Sequence, residues 1–113
     1  MKKRILLLTK SDKNKGYCLA GIDLDTNKFV RLVGDKNGAE IKKEKCKLLN
    51  NTEIEPLDVL NIDIIEQCPL LLQPENCLLS ENNIFEKIEK YSIDDLQKLL
   101  NKIHCDNILS KKR

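Results

Sequence analysis

The chain has 113 residues, 41% of them hydrophobic and 34% charged, with only 4% aromatic and no Trp. That length fits one domain, able to bury roughly 65% of the unfolded surface without disulfides or metals, and the aromatic shortage leaves Leu, Ile and Val to form the core. Net charge is +2, yet residues 1–47 hold 13 Lys/Arg against 6 Asp/Glu and residues 48–113 hold 7 against 12, a dipolar pattern that steers a polyanion or an acidic protein surface toward one side.

Met1-Lys2-Lys3-Arg4 ahead of Ile5–Leu8 mimics a secretory leader, but the apolar run is too short for an h-region. No segment approaches the ~20 apolar residues of a membrane span. A cytoplasmic protein with no membrane partner is expected. The five cysteines (Cys18, Cys46, Cys68, Cys77, Cys105) are odd in number and show no regular framework, which fits reduced thiols. Without a Cys-x2-4-Cys pair, and with the lone His104 beside Cys105, neither a metal site nor a cofactor is expected.

Arg4–Thr9 reads as a buried strand bounded by turn residues at Asp12–Gly16. Tyr17–Asp25 is strand-like with a small centre, Ala20-Gly21, marking either a bulge or a close backbone crossing. Asp25-Thr26-Asn27-Lys28 is a tight hairpin turn. Phe29–Val33 follows as a strand with Phe29, Arg31 and Val33 on one face and Val30 and Leu32 on the other. Gly34–Gly38 is a loop, and lysine-rich Ala39–Asn51 reads as a partly mobile connection. Glu55-Pro56 reopens extended structure, Leu57–Glu66 is a strand ended by Cys68-Pro69, and Gln73-Pro74-Glu75-Asn76 is a polar turn between apolar runs. Ser92 with Asp95 resembles a capping box opening a helix of about three turns, with Ile93, Leu96, Leu99, Leu100 and Ile103 as its apolar stripe and His104 near its end. The terminal Ser110–Arg113 is expected to fray.

This order predicts a mainly β protein with a C-terminal helix, built as a small OB-like or SH3-like barrel. The barrel is expected over residues 1–80 and a helical extension packing on it over 81–113, together one domain. No nucleophile–base pair and no Gly-rich phosphate loop is present. The acidic pairs Asp23/Asp25 and Asp94/Asp95 are explained by a hairpin and a helix start, so no catalytic residues are assigned. For a nucleic-acid partner, the basic half supplies Lys10, Lys13, Lys15, Lys28 and Arg31 as phosphate contacts. Tyr17 and Phe29 are the aromatics on the strands, and Tyr17 joins the expected contact set.

The succession Arg4–Leu8, Tyr17-Cys18-Leu19-Ala20-Gly21-Ile22, Phe29-Val30-Arg31-Leu32-Val33, Leu57–Leu60 and Gln73-Pro74-Glu75-Asn76 resembles the bacterial family of dual OB-containing domains over residues 3–100. The resemblance implies two successive small barrels, serving as nucleic-acid-binding or sensing modules of prokaryotic conflict systems. It sets Cys18, Arg31, Gln73, Glu75 and Asn76 on the family's motif positions. Phe29 stands where the family usually has Trp, and Leu32 where Pro often follows the Arg. The chain is expected to carry the first barrel only, as a one-barrel member, a phage-type miniature or a fragment. A non-enzymatic binding module follows as the leading expectation. The alternative is a protein–protein interaction subunit, or a small phage-type inhibitor of a host defence complex that uses the acidic half and helix.

Overall fold

The computed structural model describes residues 2–13, 15–35, 39–68 and 75–111, with the backbone alone at 66–68, 75 and 106–111. In chain order the elements are β1 (Lys2–Lys13), β2 (Gly16–Asp23), β3 (Lys28–Val33), β4 (Ile41–Lys42), a 3-10 turn (Lys43–Lys45), β5 (Asp58–Cys68), β6 (Glu75–Leu79), β7 (Glu86–Lys90) and α1 (Ile93–Lys111). The first three strands form an antiparallel meander, and β5 returns beside β1, the arrangement of a Greek key. β6 then fills the space between β5 and β3, antiparallel to the first and parallel to the second, and closes a five-stranded barrel. Of the OB-like and SH3-like alternatives, this closed barrel is consistent with the OB-like one. The strand part runs past the expected boundary at residue 80, because β7 adds to β5.

Closure of so small a barrel demands sharp strand curvature, and three irregularities supply it. β1 carries a bulge between Leu7 and Thr9 where it passes β2, and β5 carries one between Ile64 and Glu66 where it passes β6. At Gly21 a Cβ would lie 2.1 Å from the Leu6 carbonyl oxygen, so a side chain there would hold the strands apart. The close-crossing reading of the Ala20-Gly21 pair therefore applies, and the bulge lies opposite it, on β1.

Alternation sends Ile5, Leu7, Leu19, Val30, Leu32, Leu60, Ile62, Ile64, Cys77 and Leu79 to the interior, joined by Tyr17. Each such aliphatic side chain contributes about 1.5–3 kcal/mol on burial. One end of the barrel is plugged by Ile41, Cys46, Ile54 and Phe85. The connection expected to be partly mobile thus carries two of the four plugs. The buried Cys46 thiol is pushed up to about 11 by desolvation.

Two further expectations change. The helix is longer than three turns, spanning Ile93–Lys111, so His104 lies within it rather than at its end. Its start is the predicted capping box: Ser92 N–H donates to Asp95 Oδ2 at 3.0 Å, and Asp95 N–H donates to Ser92 Oγ at 3.0 Å. Leu96, Leu99, Leu100 and Ile103 are half-buried, whereas Gln97, Lys98, Asn101 and Lys102 are exposed. Among the described residues no helix is long and apolar enough to cross a membrane.

Candidate functional site

With Leu19, Val30, Leu32 and Cys77 committed to the interior, the pleat turns their neighbours outward. The other face of β2, β3 and β6 therefore carries Cys18, Ala20, Ile22, Phe29, Arg31, Val33, Asn76 and Leu78, of which Ile22, Val33, Asn76 and Leu78 are buried and Cys18, Ala20, Phe29 and Arg31 reach the surface. Register then decides which of these meet. Arg31 lies opposite Ala20 on one side and Asn76 on the other. The small Ala20 leaves room over which the arginine stem can lie. Phe29, two residues along the same face, is 50% exposed. Arg31 and Cys18 are half-buried.

Asn76 differs from its neighbours. It is 1% exposed, and its Oδ1 accepts no hydrogen bond among the described residues. A buried amide oxygen without a donor costs about 1–3 kcal/mol, so a polar group that reached it would be held there. Of the five motif positions, Cys18, Arg31 and Asn76 share this face and Glu75 precedes Asn76 on the same strand. Gln73 lies outside the described residues.

The lysines gather at the tip of the β1–β2 hairpin. A Cβ on Gly16 would come 2.4 Å from the Ile41 carbonyl oxygen, and that close approach lets β4 pair with the start of β2. Lys42, Lys43 and Lys45 are thereby brought beside Lys13 and Lys15, all exposed. The Lys43 amide donates to the Lys15 carbonyl at 3.5 Å. The Lys43 ammonium sits 3.0 Å from Asp12, whose carboxylate raises its pKa. Lys42, Lys43 and Lys45 were missed by sequence reasoning, because nothing local in that segment indicates that it folds back on the hairpin.

Two expected contacts belong elsewhere. Tyr17 is 9% exposed and packs in the core, with the Lys10 ammonium 4.8 Å and the Lys43 ammonium 5.2 Å from its ring centre. Lys10 donates to the Ile54 carbonyl at 3.0 Å and to Glu53 Oε2 at 3.3 Å. Its side chain is 15% exposed. The pair anchors the segment around Glu53 and Ile54 to the barrel instead of facing a ligand. Lys28 is exposed at the opposite end of β2 from Lys13, about 20 Å away at strand rise.

Comparison with known proteins adds one finding. The profile of the dual OB-containing domain family matches residues 3–113, the helix included. No curated protein and no solved structure matches the chain.

Proposed function

The chain belongs to the dual OB-containing domain family, and from that membership we propose that it is a non-enzymatic module holding single-stranded nucleic acid across the outer face of β2, β3 and β6. OB folds take oligonucleotides on the strand 2–3 face, flanked by the loop between strands 1 and 2. The observation that carries the reading is the half-exposed Phe29 ring beside Arg31 on that face, with Arg31 in register with Asn76. Phe29 offers a stacking surface worth about 1–3 kcal/mol per base. The Arg31 guanidinium has five donors, enough to share between a protein neighbour and a phosphate. Lys13 and Lys15 at the hairpin tip and Lys28 at the far end of β2 extend the positive track. The family resemblance supports a sensing role in prokaryotic conflict systems for such a module.

Fluorescence anisotropy with a labelled single-stranded oligonucleotide at 50 mM and 200 mM salt tests the proposal. Arg31→Ala and Phe29→Ala should each weaken binding about tenfold or more. Four phosphate contacts, from Arg31, Lys13, Lys15 and Lys28, predict a slope of log affinity on log salt near about −3. Unchanged affinity in both variants would overturn it.

A second reading, a protein-interaction subunit, draws on the exposed Ile84, Ile88 and Ile93 around β7 and the start of α1. A native complex that survives nuclease treatment and is unaffected by Arg31→Ala would favour it.

A further inference from the structure

Away from the β2–β3 face, the barrel mouth at which β3 and β6 end encloses a cavity of about 260 Å³. Its floor is apolar, made by Ile41, Leu79 and Phe85. Asp35, Glu40, Lys42, Lys45 and Glu81 are the charged residues of its lining. Of these three acidic and two basic residues, Glu40, Lys42, Lys45 and Glu81 make no ion pair among the described residues. Opposite charges crowded on one opening without pairing are available to a ligand that carries both kinds of complement.

The chemistry of that ligand follows from what each group can do. Carboxylates only accept hydrogen bonds, and ammonium groups only donate. Asn83, also in the wall, has its amide orientation set because Oδ1 accepts the Asp63 N–H at 2.7 Å. Its Nδ2 is the end left for the cavity, and it too only donates. The complement is a flat apolar body with adjacent donors and one acceptor on an edge, and an anion at the other end.

We propose that the mouth is a guanine-nucleotide pocket. The guanine N1–H and exocyclic amino group present neighbouring donors to a carboxylate of Glu81 or Glu40, and O6 accepts from Asn83. Adenine and cytosine place a ring acceptor beside their amino group, which a carboxylate repels. The phosphate lies toward Lys42 and Lys45, as charge-assisted hydrogen bonds require. This inference does not depend on the strand-binding reading, since a free nucleotide suffices to occupy the pocket.

Calorimetric titration of the full chain with 5′-GMP, 5′-AMP, guanosine and inorganic phosphate tests it. GMP is expected to bind at least about tenfold more tightly than AMP and than phosphate. The double variant Lys42→Ala/Lys45→Ala should weaken GMP about tenfold while leaving guanosine unchanged, and Glu81→Gln should reduce the preference for GMP over AMP. All three substituted side chains are exposed, so the fold is retained. An oligonucleotide with a 5′-terminal guanylate carries the same chemistry. If it binds this pocket more tightly than GMP, strand ends are the occupant, and the reverse assigns the free nucleotide. Equal affinity for GMP and AMP, or no binding of GMP to the unaltered chain, would overturn the proposal.

Discussion

Replacing Gly21 by alanine would press a methyl group to 2.1 Å from the Leu6 carbonyl oxygen, and the closed barrel around it resists the required strand separation. The expected cost is about 2–3 kcal/mol, read as a lower urea midpoint at unchanged slope. Asp23 makes a different demand. It is 1% exposed, and burial, the largest single influence, pushes its pKa up. That push is outweighed by the Lys3 ammonium at 2.8 Å and the Asp25 N–H at 2.9 Å, with further donation from Thr26. The folded pKa therefore lies below the ordinary 3.8. The stabilisation is complete above about pH 5 and is lost as pH falls from the unfolded value through the lower folded one. Urea midpoints across this range should drop steeply for the native chain and much less for Asp23→Asn, which is already weaker at pH 7; parallel curves would remove Asp23 from the account. Leu57 is a third special position, at φ 75°, in the turn closed by the Asp58 N–H donating to the Glu55 carbonyl at 3.1 Å. Its own N–H donates to the Leu7 carbonyl at 2.7 Å, and its carbonyl accepts from Tyr91 N–H at 2.9 Å. Those long-range bonds hold a leucine where a glycine would be expected, so local propensity did not reveal the turn.

The elements legible in the sequence were those whose signals are local. Alternation at Phe29–Val33 identified both the strand and the residues that share a face with Arg31. The reciprocal Ser92–Asp95 bonds identified the start of α1. Removing the cap with Ser92→Ala should cost about 1 kcal/mol and act locally. Amide exchange should accelerate in the first turn of α1, with the barrel amides unchanged, and uniform acceleration across the barrel would contradict that separation. What the sequence did not disclose is pairing between distant segments. β4 is two residues long and exists because Gly16 admits it, so Ile41 and Cys46 were not recognised as plugs. β7, Glu86–Lys90, is exposed at every position and has no buried-face alternation to announce it.

At the scale of the whole molecule, the uneven charge of the sequence acquires a location. Lys13 and Lys15 from one hairpin meet Lys42, Lys43 and Lys45 from a segment nearly thirty residues later, at one end of a barrel closed by the parallel pairing of β3 and β6. That same pairing sets Arg31 beside Asn76, a juxtaposition that no sequence separation predicts. Lys10 and Tyr17 are expected on the ligand face for their type alone; the pleat of β2 turns Tyr17 to the core, and Lys10, half-buried, bonds Glu53 and the Ile54 carbonyl. The central claim is that the outer face of β2, β3 and β6 is the binding surface. Titrating isotope-labelled protein with a short single-stranded oligonucleotide at 50 mM salt, and mapping the perturbed backbone amides, tests it most directly. The predicted shifts fall on Cys18–Ile22, Phe29–Val33 and Asn76–Leu78, grading into the hairpin tip; shifts confined to β7 and α1, or none at saturating oligonucleotide, would contradict it.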